Sequence, residues 1–478
     1  MNTNRKEINL KAALFPIVIL VGLLSYNVFV YKDSALDGSN QFILLISAAV
    51  AALLGGYYGN SYKDMLEGVA DNVKSTTTAF LILLMVGALS GTWLISGIIP
   101  AMIYYGIQIL NPTFFLVACV IIAALISVAT GSSWTTSATV GIALVGIGGT
   151  LGVPLAMTAG AIISGAYFGD KMSPLSDTTN LAPAVAGGEL FDHIKYMTYT
   201  TIPSISIALI FFFILGFGID ATGEADISTI LLDIKKTFNV SPLLFLVPIV
   251  VVVFIVKKAP PLLALLVGTL LGGVFAILFQ PEVIMQVAQT DKMSFQAAYQ
   301  GVINAITIDT SISTSNAILN DLFNSGGMKG MLGTIWLILC AMVFGGIMDK
   351  IGALKVITTS LLNVAQTTFG LFASTVTSCL ALNLTASDQY LAIVVPGKMF
   401  ASAYKDKNLA PENLSRTLED SGTVTSAIVP WNTCGAYHSS VLGVPVIDYM
   451  AFAVFNYVSP FVTLLFAALK IKIKTLKA

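Results

Sequence analysis

The sequence predicts an all-α membrane protein that crosses the bilayer many times, and its composition and charge pattern are the observations behind this. Of 478 residues, 56% are hydrophobic and only 10% are charged, against about 25% charged residues in ordinary soluble domains. Between Lys74 and Asp170 lie 95 consecutive residues without Lys, Arg, Asp, Glu or His. At about 20 apolar residues per crossing, this block alone supplies about four membrane segments.

Further uncharged runs add to this count. We expect roughly ten to fourteen membrane segments in total, because only helices and closed barrels satisfy their backbone inside a bilayer. The lipid bilayer is therefore an expected partner, and the net charge of -1 gives no reason to expect nucleic acid, which needs a basic patch. The runs cover residues 12–31, 38–62, 196–219, 237–256, 259–281, 330–348, 356–387 and 449–469.

The distribution of basic residues predicts the orientation. Seven of the 24 lie in the two tails, at positions 5, 6 and 11 and at 470, 472, 474 and 477, so both termini are expected in the cytoplasm. The net-acidic segment 220–236 is best placed outside. Lys257 and Lys258 then mark a return to the cytoplasm after one crossing. Each half crosses an odd number of times, which predicts two inverted membrane repeats, residues 1–235 and 236–478.

Weak internal similarity supports this division. The second half carries an additional polar piece, residues 307–329, which is either a re-entrant hairpin or a plain loop. The matching positions are Pro16 with Pro248 (offset 232), Gly68 with Gly301 (offset 233), Gly91 and Gly97 with Gly346 and Gly352 (offset 255), and Asp170 with Asp420 (offset 250).

Four polar stretches interrupt the apolar sequence, two in each half. They cover residues 130–137 and 169–180 in the first half, and 383–388 and 419–433 in the second. Corresponding breaks in two halves are typical of the binding site of a secondary transporter. An unwound stretch exposes carbonyls and hydroxyls that can replace the water around Na+. The sequence therefore predicts broken or re-entrant helices that meet at an ion site.

Carboxylates at membrane depth are the main candidates for ion ligands, because each costs about 2.5–3.5 kcal/mol on insertion scales. Asp170, Asp177 and Asp388 are the predicted titratable ligands of a Na+ site. A carboxylate that releases a proton and then accepts Na+ couples the two cations. Lys171 and Lys398 are candidates for the balancing charge when no cation is bound.

Each candidate also has a plainer interpretation. Asp170 and Lys171 could mark a helix end at the interface, Asp388 could form a buried ion pair with Lys398, and the pair at 419 and 420 could be solvated. His193 is predicted to be a surface group. The four cysteines lie in apolar stretches, and no Cys/His cluster or catalytic triad order is present in the sequence. The chain is therefore predicted to be a transporter without a cofactor and not an enzyme.

The stretch GAYFGDKMSPLSDTTNLA at residues 165–182 closely resembles the signature of the NhaC-type sodium/proton antiporters of the ion-transporter superfamily. Residues 384–393, 414–423 and 429–433 resemble the second-half signatures of the same family. The resemblance implies an inverted-repeat fold with broken helices near the midplane and Na+ as a coupling ion. Carried over by motif position, the implied cation- or proton-binding groups are Asp170, Ser173, Asp177, Thr178, Asp388, Glu419, Asp420 and Asn432.

The function expected on these grounds is secondary exchange of Na+ for H+ across the cytoplasmic membrane. The resemblance leaves the cargo open, because similar sequences include exchangers of malate and protons for lactate and Na+, and some amino-acid carriers. The alternative is therefore a Na+-coupled carrier of a small organic anion or an amino acid. A channel is a further alternative, although selectivity filters usually repeat one short motif around an axis. Homodimers are common among exchangers of this kind, and no residue here indicates one.

Overall fold

The computed structural model describes residues 7–31, 37–219, 227–257 and 259–476, and these are almost entirely helical. Residues 1–6, 32–36, 220–226, 258 and 477–478, some of which entered the topology argument, lie outside the described residues. The helices up to residue 237 are α1 (Leu10–Tyr31), α2 (Ser39–Tyr57), α3 (Tyr62–Ser75), α4 (Thr77–Ile95), α5 (Ile98–Ile109), α6 (Pro112–Thr130), α7 (Ser133–Thr136), α8 (Ile142–Thr150), α9 (Leu155–Met172), α10 (Asp177–Ala186), α11 (Leu190–Phe217) and α12 (Ile227–Thr237).

The remaining chain continues the pattern. Two π-helical turns, Ser137–Gly141 and Glu419–Thr423, and two 3-10 turns, Pro242–Phe245 and Val424–Ile428, connect helices. The helices are α13 (Leu246–Val256), α14 (Pro261–Phe279), α15 (Pro281–Val287), α16 (Phe295–Thr307), α17 (Ala317–Leu322), α18 (Gly327–Gly330), α19 (Leu332–Lys350), α20 (Ala353–Val364), α21 (Thr368–Thr385), α22 (Gln389–Asp406), α23 (Pro411–Leu418), α24 (Thr433–Leu442), α25 (Val446–Tyr449) and α26 (Val454–Ala468).

The all-α polytopic class is confirmed. Eight helices in the described residues are long and apolar enough to cross a membrane, and a ninth span is formed if α12 and the helix after it, bent by 80°, count as one. Three shorter apolar helices, α5, α20 and α26, are also present. Fewer continuous spans are found than the ten to fourteen predicted segments, because the polar breaks divide several apolar stretches into short helices.

The N-terminal helices of each half pack against the other half of the chain. Helices α2 and α3 contact α19, and helices α14 and α16 contact α4. The contacts are close because small residues lie at the crossings. A Cβ atom on Gly68 would lie 2.6 Å from the carbonyl oxygen of Gly346, and one on Gly91 would lie 1.8 Å from that of Ala305. In the first crossing, helices from the start of the first half contact the second half, and in the second crossing, helices from the start of the second half contact the first half.

Backbone conformations recur between the halves. Positive φ angles occur in the first half at Gly97, Gly131, Gly152 and Gly187. They recur 255 or 256 positions later at Gly352, Ser387, Asn408 and Gly443. Side-chain contacts recur with them. The Ser127 hydroxyl donates to the carbonyl of Ala166 at 2.6 Å, and the Asn383 amide, 256 positions later, donates to the carbonyl of Gly422 at 2.7 Å.

We propose that these correspondences reflect the two inverted membrane repeats. The predicted junction between residues 235 and 236 falls inside α12, so we move it to the turn at 238–241. The offset of 256 pairs Asp170 with Ser426, and it pairs Asp420 with Ser164. The proposed register therefore differs by six residues from the sequence match of Asp170 with Asp420, which has an offset of 250.

The additional polar piece of the second half forms a small hairpin. Strands β1 (Thr310–Ser311) and β2 (Asn324–Ser325) pair antiparallel on either side of α17. At its base, Asp309 and Lys329 form an exposed ion pair at 2.9 Å. Ile312, Leu319 and Phe323 are fully buried, so the piece is a packed hairpin rather than a loose loop.

The α4–α16 crossing yields a stability prediction. Gly91→Val should prevent the close approach to Ala305 and cost about 3 kcal/mol or more through overpacking. Gly22→Val is the matched control, since nothing lies within 4 Å of a Cβ atom at Gly22, also in an apolar helix. Fluorescence-detected size-exclusion chromatography after graded heating should show early loss of the Gly91 variant only. Equal melting of the two variants would contradict this packing.

Candidate functional site

The predicted acids Asp170, Asp177 and Asp388 line one cavity of about 640 Å³. Asp170 and Asp388 are almost completely buried, whereas Asp177 is exposed to the cavity. The opposite wall comes from the junction of α3 with α4 and from residues 259–261. Hydroxyl side chains supply much of the remaining polar lining: Thr130, Ser132, Ser133, Thr135, Ser176 and Thr178.

Asp170 lies in the last turn of α9 and faces the break after α6. Gly131, with φ of 70°, ends α6 in a conformation that glycine adopts without strain. Ser132 then caps α7. This geometry directs Ser133 at the carboxylate, so that its backbone N–H and its hydroxyl donate to Oδ2 of Asp170 at 3.0 and 2.7 Å. Two such donors stabilise the ionised form of the carboxylate.

Asp388 caps the N-terminus of α22. Ser387 has φ of 58° and turns the chain, after which Oδ1 of Asp388 accepts from the backbone N–H of Leu391 at 2.9 Å. A carboxylate at a helix N-terminus is stabilised by the helix dipole. Lys398 is exposed and lies ten residues along α22, about 15 Å away at the helical rise. The alternative of an Asp388–Lys398 ion pair is therefore wrong.

Helix α10 presents its first turn to the same cavity. Ser176 caps the helix, Asp177 occupies the first helical position, and the hydroxyls of Ser176 and Thr178 lie 3.2 Å apart. Ser173 is buried and its hydroxyl donates to the carbonyl of Val128 at 2.8 Å, so it holds the turn against α6. Ser173 does not line the cavity.

Asn432 also has a structural position. It caps α24, with Oδ1 accepting from the N–H of Cys434 at 3.0 Å, and its amide donates to the backbone oxygen of Asn383 at 3.1 Å. The next two residues, Thr433 and Cys434, line the cavity instead. Helix α24 has no acidic residue in its first turn, which distinguishes it from α10.

The described residues contain no group of three or more His, Cys, Asp or Glu side chains arranged to hold a metal ion. The three cavity acids therefore share a cavity without converging on one point. A transported Na+ would be bound by one or two carboxylates together with hydroxyl or carbonyl oxygens. The chemistry of the lining suits this, because hard cations prefer oxygen ligands.

A second cluster lies behind the cavity wall, around the ion pair of Lys171 and Asp420. Both side chains are fully buried. Oδ1 of Asp420 also accepts from the hydroxyl of Ser459 at 3.1 Å, and Oδ2 accepts from the hydroxyls of Thr200, at 2.7 Å, and Thr463. These donors offset the cost of taking a carboxylate out of water. The solvated interpretation of Asp420 is wrong.

Glu419 is next to this pair and equally buried. It interacts electrostatically with Lys171, and the hydroxyl side chains of Thr178 and Thr423 lie beside it. Within the described part of the chain, neither carboxylate oxygen has a hydrogen-bond partner. The π-helical turn that begins at Glu419 gives adjacent acids this shared interior position, and such turns are frequent at functional sites.

Several side chains in and around the candidate site were not identified from the sequence. Ser133 stood in a recognised break, but only the fold shows that it faces Asp170. Thr200, Ser459 and Thr463 lie in apolar helices without a charge signal. His193 was predicted at the surface, and this was wrong: it is fully buried in α11, with Nδ1 2.7 Å from the Ser415 hydroxyl.

The buried ion pair yields a second stability prediction. Lys171→Met leaves Asp420 without its cationic partner and should cost about 3–5 kcal/mol. Adding Asp420→Asn removes the stranded charge and should recover most of that loss. Thermal unfolding in detergent measures both.

The control is Lys329→Met, which breaks the exposed pair with Asp309 and should cost at most about 1 kcal/mol. If the Lys171 variant unfolds at the same temperature as the native protein, the buried pair contributes little to stability.

Comparisons with known proteins agree with this architecture. The model of the Na+/H+ antiporter family matches residues 165–471. The chain is 38% identical to the Na+/H+ antiporter NhaC of Alkalihalophilus pseudofirmus over 90% of each chain. It is 36% identical to the malate-2H+/Na+-lactate antiporter of Bacillus subtilis over 93% of this chain and 92% of that one.

A third relative, the arginine/ornithine antiporter ArcD of Halobacterium salinarum, is 32% identical over 94% of this chain and 89% of its own. All three are named as antiporters, although their cargoes differ. The family match covers Asp170, Asp177 and Asp388, whereas the break at residues 130–137 lies before its first residue. The resemblance seen in residues 165–182 is confirmed, and the chain belongs to the Na+/H+ antiporter family.

Proposed function

We propose that this protein exchanges Na+ for H+ across the cytoplasmic membrane, with Asp170 and Asp388 as the principal ligands and Asp177 at the mouth of the site. The observation that supports this most is that three acids from two broken-helix regions line one hydroxyl-rich cavity. The sodium/proton exchange named for the NhaC relative supports the same assignment.

Competition for a carboxylate supplies the coupling. When Asp170 or Asp388 is ionised, it attracts Na+, and when it is protonated, that attraction is lost. The N–H and hydroxyl donors of Ser133 and the N-terminus of α22 stabilise the ionised form of these carboxylates and offset part of the cost of their burial. One site can therefore carry Na+ in one direction and a proton in the other.

A second candidate function is Na+-coupled exchange of a small organic anion or amino acid. A cavity of about 640 Å³ lies within the range of small-molecule sites, roughly 300–1,000 Å³, and exceeds what Na+ needs. The N-terminus of α24, without an acid in its first turn, could receive a carboxylate beside the bound Na+. The malate/lactate relative is named for such cargo.

We further propose that both termini lie in the cytoplasm. The last helix, α26, is followed within ten residues by lysines at 470, 472, 474 and 477, and such clusters are retained on the cytoplasmic side. The junction near 238–241 then places the two repeats in opposite orientations.

The exchange is tested in liposomes that contain a fluorescent proton probe, with a pulse of NaCl outside. The native protein should move protons, and Asp388→Asn should reduce the rate at least about tenfold, since a neutral amide attracts Na+ weakly. Asn is as good a helix cap as Asp, so α22 should remain intact.

Asp309→Asn is the control, because Asp309 is an exposed acid far from the cavity in sequence and should leave the rate unchanged. If Asp388→Asn is as active as the control, the assigned ligand is wrong. If the native protein moves protons only after malate, lactate or an amino acid is added, the second function replaces the first.

The contribution of Ser133 can be measured separately. Ser133→Ala removes one of two donors to Asp170, and a hydrogen bond to a charged group contributes about 1.5–3 kcal/mol. The KM for Na+ should rise about tenfold, with less change in the maximal rate. Ser206→Ala on α11, where the hydroxyl donates to the carbonyl of Ile202 in the same helix, is the control, and equal KM values in the two variants would argue against this contact.

A further inference from the structure

Buried polar atoms without a hydrogen-bond partner are concentrated along one face of α23 and its π-helical continuation. In the described residues they include Oε2 of Glu412, Nε and Nη2 of Arg416, both carboxylate oxygens of Glu419 and the hydroxyl of Thr423. The spacing 412, 416, 419 and 423 places these side chains on one face of a helix. Buried polar atoms are normally satisfied by protein or by ordered water. Such a face is therefore suited to hold water.

Helix α11 presents a complementary face. His193, Tyr196 and Thr200 are spaced by three and four residues, so they also share a helix face. Each contacts the facing segment: His193 meets Ser415, the Tyr196 ring lies 4.5 Å from the Arg416 guanidinium, and Thr200 donates to Asp420. Nε2 of His193 has no partner in the described residues. We call these two faces the polar stripe.

The end of the polar stripe that is remote from Glu419 opens into a second cavity. This cavity, of about 340 Å³, is lined by Asp192, Lys195, Tyr196, Tyr199 and residues 472–474. The C-terminal segment forms one wall of this cavity, where the N–H of Ala410 donates to the carbonyl of Lys474 at 2.9 Å. The Tyr196 hydroxyl donates to the carbonyl of Lys472. Water in this cavity can therefore reach the polar stripe beside Tyr196.

The inner end of the polar stripe lies against the wall of the first cavity. Glu419 interacts electrostatically with Lys171 and lies beside the hydroxyl of Thr178, and Thr178 lines the first cavity. Glu419 itself does not line that cavity. The consecutive residues Asp170 and Lys171 on α9 likewise face the first cavity and the ion pair.

We propose that the proton which competes with Na+ at Asp170 enters and leaves through Glu419, which exchanges it with water along the polar stripe and not through the Na+ cavity. This inference rests on the proposed Na+/H+ exchange. Proton uptake neutralises Glu419, which removes the attraction between Glu419 and Lys171 and changes the field at Asp170 through the wall. The ionisable groups that face Glu419 or line the stripe are Asp170, Lys171, His193, Tyr196, Cys379, Tyr404, Glu412, Arg416, Asp420 and Lys474, which forms an ion pair with Glu412.

Glu419→Gln tests the inference, because it keeps the shape of the side chain and removes its proton chemistry. Two fluxes are measured in liposomes: exchange of radioactive Na+ for Na+ at equal pH, and proton movement driven by Na+. We expect Na+/Na+ exchange within about twofold of the native rate and proton movement reduced at least about tenfold. Asp309→Asn is the matched control for both fluxes.

Two results would overturn the inference: proton movement at the native rate, or loss of both fluxes in a variant that elutes as a native particle. The latter would make Glu419 part of the Na+ site. If the native chain shows no Na+-driven proton movement, the proposed function fails instead, which keeps the two failures distinct.

His193→Gln tests the route itself. It replaces the titratable ring in the polar stripe with a polar amide, and proton movement should slow severalfold and gain a larger solvent isotope effect in D2O. Na+/Na+ exchange should not change. A native rate and a native isotope effect would show that protons reach Glu419 by another path.

Discussion

The site depends on two opposite charges at consecutive positions in the last turn of α9. Successive residues of a helix point about 100° apart, so Asp170 and Lys171 cannot face the same environment. Asp170 faces the cavity and accepts from Ser133, while Lys171 is buried against Asp420. Burial of the ion pair is offset by hydrogen bonds that Asp420 accepts from the hydroxyls of Ser459, Thr200 and Thr463. A charge that would be costly alone thus anchors α9 to the second half and positions Asp170 at the cavity.

The broken helices meet a second constraint, which is that backbone groups inside a membrane must be paired. Each break is closed by a left-handed residue and a side-chain cap: Gly131 with Ser132, and Ser387 with Asp388. The cap in the second half is itself a candidate Na+ ligand. Because the same carboxylate satisfies the helix end and lines the cavity, protonation or Na+ binding there changes both the local charge and the stability of the helix N-terminus. This gives a physical link between ion occupancy and backbone geometry.

Much of this was accessible from sequence, for identifiable reasons. The long uncharged runs predicted the membrane fold, and the three cavity acids stood out because intramembrane carboxylates are costly. The register of the proposed repeat was not accessible, since apolar sequences match by chance: the match of Asp170 to Asp420 lies six residues away from the proposed register. His193 was misplaced because its charged neighbours in sequence, Asp192 and Lys195, lie at the outer cavity while the imidazole points inward. The hydroxyl partners of Asp420 carry no sequence signal, because Thr and Ser are common in membrane helices.

The central proposal is that Na+ and protons compete for the same carboxylates of this protein. Its most direct test is calorimetric titration of the purified protein with NaCl in two buffers of equal pH and different ionisation enthalpy. If Na+ displaces protons, the measured heat differs between the buffers in proportion to their ionisation enthalpies. If the heat of Na+ binding is the same in both buffers, no proton is released and the competition account is contradicted.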